Sequence, residues 1–140
     1  MRLEQANAVI TGAIAEARKQ ALRPIAVIVL DSGGRPVAFK REDGASLFRH
    51  DIARAKVMGA LGMGADTREL ASRAAHNPAF FTTVAIATDG GLALSPGGVL
   101  IFEDKALTGA VGISGDTGDA DEACAIAGIT AAGLEHRAET

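Results

Sequence analysis

Two short apolar runs, each followed by a tight polar turn and a returning run, constrain this chain more than any other feature. Ile25 to Leu30 is unbroken apolar sequence, the pattern of a strand covered on both faces. Asp31-Ser32-Gly33-Gly34 supplies turn chemistry, and Pro36 to Glu42 returns as a second strand. The arrangement recurs later, with Val99-Leu100-Ile101-Phe102 as a strand, Glu103-Asp104-Lys105 as its turn, and Leu107 to Ser114 as the return. Two hairpins of this kind need helices to cover them.

The helices are legible from spacing. Leu3, Ala6, Ile10, Ala13 and Ala17 recur at helical intervals and predict a helix over 3–21, stopped by Pro24. A second helix is expected from about Leu47 to Gly64 and a third from Thr67 to His76, before Asn77-Pro78. Asp119, with Glu122 three residues on, reads as a capping box that opens a last helix running to Leu134. Residues 79–97 hold Phe80-Phe81 and two turn signals, and read as a loop. The order α-β-β-α-α-loop-β-β-α predicts one α+β domain over 1–140, an antiparallel sheet with helices on its faces.

Gly59, Gly62 and Gly64 stand in or near the last turns of the second helix. Each internal Gly costs about 1 kcal/mol against Ala, so these positions are expected where another backbone comes close. The chain has no Trp or Tyr and only five Phe, so its core must be built from Ala, Val, Ile and Gly. A domain this small buries only about two-thirds of its unfolded surface. Self-association into a homo-oligomer, a dimer or larger, is therefore expected to add stability.

A formal charge of −3, with basic residues scattered among acidic ones, argues against a nucleic-acid partner. No apolar run reaches the roughly 20 residues of a membrane span, and no interfacial Trp or Tyr exists. The first residues enter a charged helix pattern and do not read as a signal peptide. Cys124 is the only cysteine, so no intrachain disulfide can form, and a cytoplasmic location is expected.

Several familiar machines are excluded. Gly109, Gly112 and Gly115 form neither a dinucleotide fingerprint nor a phosphate loop. There is no Gly-x-Ser-x-Gly elbow, no His or Cys pair at zinc spacing, and no Cys-x-x-Cys-His for covalent haem. No metal site is assigned.

Two segments resemble the haem-degrading-domain family, the GlcG/HbpS-like proteins. One runs from Asp31-Ser32-Gly33-Gly34-Arg35 through Arg41-Glu42-Asp43-Gly44-Ala45 to Asp51-Ile52-Ala53-Arg54-Ala55-Lys56. The other runs from Gly97-Gly98-Val99 through Gly109-Ala110-Val111-Gly112-Ile113-Ser114-Gly115 to Asp121-Glu122 and Ala127-Gly128. The resemblance implies a profilin-like fold, a three-layer α/β/α sandwich with an antiparallel sheet, assembled into dimers or higher oligomers. It also implies a link to haem. Leu100 departs from the family's usual Pro, and Phe102-Glu103-Asp104-Lys105 replaces a smaller Gly-containing turn, so no ligand contact is carried over to that hairpin.

Four residues are candidates for chemistry. Val37, Phe39 and Arg41 share one face of the second strand, with Asp43 next in line. Arg41 offers a planar donor array suited to a carboxylate such as a haem propionate. The other reading of Arg41 and Asp43 is a structural corner, with Asp43 capping the turn into the helix and Arg41 tying it down as paired buried charges. Lys56 lies on a stripe with Arg49, Ala53 and Ala60. It either acts as a base or Schiff-base amine, because burial disfavours its charged form, or snorkels to water. His50 is expected near Arg41, Asp43 and Lys56, and is a haem-iron ligand or a structural histidine. His76 suits a helix C-terminus, and His136 lies near the chain's end.

These readings lead to two expectations. The first is a cytoplasmic, homo-oligomeric binding protein for haem or a related small anionic ligand, held by Arg41 and His50. The second is a small catabolic enzyme, or an accessory protein, acting on a small carboxylic acid by proton transfer through Lys56 or Asp43.

Overall fold

In a computed structural model, described here over residues 1–136, ten elements build a three-layer α/β/α sandwich. They are α1 (Leu3–Lys19), β1 (Ala26–Asp31), β2 (Pro36–Arg41), α2 (Arg49–Met63), α3 (Thr67–His76), α4 (Pro78–Ala87), β3 (Gly98–Glu103), β4 (Ala106–Ser114), α5 (Gly118–Ala131) and β5 (Glu135–His136). The sheet runs β2-β1-β4-β3-β5, and every neighbouring pair is antiparallel. Both expected hairpins form. In the first, the Asp31 carboxylate accepts from the Gly33 and Arg35 amides at 3.0 Å, and Gly34 takes the positive φ of 82° that the turn requires.

One sheet face is covered by α1 and α5. Val9, Ile10 and Ala13 of α1 and Ile129 of α5 pack there on Val27, Val29, Val111 and Ile113. On the other face α2 lays Ala53, Val57 and Ala60 on Ile28, Leu30, Leu100 and Ala110. Full burial of Val57 alone stabilises by about 1.5–3 kcal/mol. The small residues let α2 lie against the sheet backbone. A Cβ on Gly98 would meet the Lys56 carbonyl oxygen at 2.5 Å, and one on Gly112 would overlap the Ala53 carbonyl oxygen. Beyond α2, the α3–α4 pair encloses a third apolar cluster of Leu70, Ala74, Phe81 and Leu92.

The structure corrects the sequence reading in three places. The segment expected to be loop contains α4, opened by Pro78 in its first turn, where proline's fixed φ favours a helix start. Aromatic and β-branched residues fill this helix, so neither a polar face nor high propensity marks it. The cap of α5 is Thr117, whose side chain accepts from the Ala120 amide at 3.2 Å, rather than Asp119. That helix ends at Ala131, and the chain then adds the short edge strand β5.

Candidate functional site

Strand β2 and helix α2 leave a groove of about 270 Å³ between them. Its floor is Ile28 and Leu30 of β1, its β2 side is Pro36 and Phe39, and its α2 side is His50, Arg54 and Met58. The last three are spaced four residues apart, so they form one stripe along the helix. The buried stripe of Ala53, Lys56, Val57 and Ala60 faces the sheet instead. The amphipathic placement of α2 therefore leaves one imidazole, one guanidinium and one thioether over an apolar floor.

His50 is half-buried and meets the Phe39 ring edge-on, with centroids 4.8 Å apart at 83°. Phe39 lies opposite Ile28, and Arg41 opposite Ala26, so Phe39 and Arg41 project from the same sheet face as the groove floor. Arg41 thus stands just past the His50 end of the groove, as the strand alternation implied. Arg54 is exposed and makes no side-chain hydrogen bond or ion pair among the described residues. Sequence reading singled out His50 and Arg41 but missed Phe39, Arg54 and Met58. The spacing of His50, Arg54 and Met58 on one helix was the available signal.

The corner after β2 is built differently from expectation. Arg41 and Asp43 are both exposed, and neither side chain has a polar partner among the described residues, so they are not a buried pair. Helix α2 has no side-chain cap either. Glu42 does the fastening. Its carboxylate accepts from the Ile25 amide at 2.9 Å and pairs with the Arg18 guanidinium at 3.1 Å, tying β2 to β1 and α1.

Lys56 neither snorkels nor joins His50. It is 2% exposed, and its ammonium donates to the Ile113 carbonyl at 2.9 Å and to the Asp121 carboxylate at 3.0 Å. Asp121 also accepts from the Asp116 amide at 3.0 Å. Burial pushes the Asp121 carboxyl above its ordinary range, against the opposing pull of Lys56. The neighbouring Arg49 donates to the buried Ser114 hydroxyl at 3.2 Å. His76 closes α3 beside Arg73, where a cation suits the helix end, and His136 pairs with Ile101 at the sheet edge.

Among the described residues, no group of three or more His, Cys, Asp or Glu side chains is placed to hold a metal ion. Nor is any described helix long and apolar enough to cross a membrane.

The family model described as haem degrading protein HbpS-like matches residues 1–130. Among curated proteins, none matches. Among solved structures, HbpS is similar at 30% identity and a TM-score of 0.80, covering 93% of this chain and 88% of that one. A PduOC–haem complex superposes with a TM-score of 0.86 at 24% identity, over 96% of both chains. The Klebsiella pneumoniae protein ORFY also gives 0.86, at 21% identity, over 95% of this chain and 90% of its own. The latter two likenesses are likenesses of fold.

Proposed function

This chain belongs to the HbpS-like family of haem degrading proteins, and on that premise we propose that it binds haem, or a related planar anionic ligand, in the β2–α2 groove. The observation that carries the proposal is the half-buried His50 imidazole set over apolar walls, with Arg41 and Arg54 at hand. These residues fit the group. An imidazole can ligate iron, Phe39, Ile28, Leu30 and Met58 can pack on a macrocycle, and guanidinium groups can pair with propionates. Iron held there would bring redox and axial-ligand chemistry; the chain's own part is to seat the ring and fix its carboxylates. At about 270 Å³ the groove falls below the usual range of about 300–1,000 Å³ for enclosing sites. A macrocycle held by His50 and these walls would be only partly enclosed.

The same proposal includes self-association and a cytoplasmic setting. Self-association is supported by exposed apolar side chains, with Phe80 and Ile86 on α4 at 49% and 76% exposure. The cytoplasmic setting is supported by the free, buried Cys124. The catalytic reading gains less support, because Lys56 is committed to Asp121 and the Ile113 carbonyl, and proton transfer would require that bridge to open.

The deciding experiment is a haemin titration of the purified protein followed by visible spectroscopy. Saturable binding with a shifted Soret band supports the proposal. Weak, unsaturable uptake retires it.

A further inference from the structure

On the far side of the Arg54–Met58 ridge lies a second cavity, of about 150 Å³, between α2 and α4. Two helix positions that line it lack side chains. At Gly59 the absence is used by a neighbour: an added Cβ would meet Leu92 Cδ1 at 2.9 Å. At Gly62 nothing lies within 4 Å of where a Cβ would stand. Gly62, the next-to-last residue of α2, thus admits no other backbone. Gly62 is exposed, so what its missing side chain leaves is the open mouth of the cavity.

The cavity walls are Met58, Met63 and Val84. The Thr88 hydroxyl also lines it but already donates to the Val84 carbonyl at 2.8 Å. Arg54 contributes a cation with no polar partner among the described residues. Its volume matches that of an enclosed apolar cavity able to hold benzene, but this cavity opens to the surface, where Arg54, Gly62 and Thr88 are exposed. Methionine walls adapt to an irregular apolar shape.

We infer that the α2–α4 cavity is a binding site for an aliphatic monocarboxylate of about six carbons, with its alkyl chain over Gly62 and its carboxylate on Arg54. The site is separate from the haem groove except for the shared Arg54 and Met58, and its occupation does not require haem.

The test is calorimetric titration of the haem-free protein with hexanoate, with 1-hexanol as the uncharged control. Saturable hexanoate binding at least tenfold tighter than hexanol is expected. Gly62→Leu places its side chain at the open mouth and should abolish hexanoate binding while leaving the melting temperature unchanged or raised. Arg54→Gln should weaken hexanoate at least tenfold and leave hexanol unaffected. Absence of saturable hexanoate binding, equal affinity for hexanol, or unaltered hexanoate binding in a folded Gly62→Leu variant would each overturn the inference. A haemin titration that fails leaves these outcomes untouched.

Discussion

Lys56 of α2 and Asp121 of α5 join at 3.0 Å although their helices cover opposite faces of the sheet. Both side chains are almost wholly out of solvent, and the bond passes the end of β4, where the Ile113 carbonyl takes a second hydrogen bond from the lysine. The three layers are thus riveted at one point by charge.

Removing one member of this pair strands the other in a low-dielectric interior. Lys56→Met and Asp121→Asn are each expected to cost about 3–5 kcal/mol in urea unfolding. The double variant Lys56→Met/Asp121→Leu should regain most of that loss, since a well-packed apolar pair is often no worse than a buried ion pair. Single losses below about 1 kcal/mol would mean the bridge is far more hydrated than its burial implies.

The corner after β2 gives the opposite expectation for its neighbours. Arg41→Ala and Asp43→Ala should each stay within about 0.5 kcal/mol of the parent, because both residues are exposed and lack a polar partner among the described residues. Glu42→Ala should cost about 1–3 kcal/mol, as it leaves the Ile25 amide without its acceptor and removes the ion pair with Arg18. Thermal melts of the three variants, run together, decide the matter by their rank order.

For haem, His50→Ala should alter the Soret band of the complex while the melting curve of the free protein stays close to the parent's. Arg41→Ala should leave the spectrum alone and weaken binding by about 1.5–3 kcal/mol, the worth of a charged hydrogen bond. A His50→Ala spectrum identical to the parent's would move the iron ligand elsewhere.

Burial, reinforced by Asp121, pushes the Cys124 thiol from 9.0 up to about 11. In the unfolded chain the thiol loses its proton first, so its contribution to stability is intact below pH 9 and is lost as pH rises towards 11. Cys124→Ala should therefore show a shallower alkaline fall in melting temperature than the parent. A disulfide reagent should label Cys124 only after unfolding, and rapid labelling at neutral pH would contradict its burial.

Phe80 and Ile86 give a fourth helix an apolar exterior. Phe80→Ser/Ile86→Ser should shift the mass seen by light scattering towards monomer if the exposed surface of α4 carries the self-association. A parent that is already monomeric at micromolar concentration would end that reading.

The hairpins were legible from their apolar runs and turn residues, and α1 and α3 from an apolar periodicity that matches their buried faces. Helices α2 and α5 have little such periodicity, and α5 was marked by polar residues at its start. Helix α4 was not legible, since Phe80 to Ala87 lacks a polar face and its buried contact is largely Phe81. At the site, His50 and Arg41 could be named from residue type and strand alternation. Lys56 could be named but not placed, because its partner Asp121 lies 65 positions away and only the tertiary fold brings them together. Glu42 was passed over for its neighbours because a carboxylate on a strand carries no local sign of which amide it will meet.

The bare backbone of Gly98 and Gly112 has a consequence at the opposite side of α2. These glycines sit beneath the helix as shims of zero thickness, with the Lys56 and Ala53 carbonyls resting on them. Any side chain inserted there would lift α2 off the sheet and carry His50, Arg54 and Met58 with it. The clearance available to a ligand is therefore gauged from behind, by two residues that never touch it, and a single methyl group in the sheet would reset the span of both cavities at once.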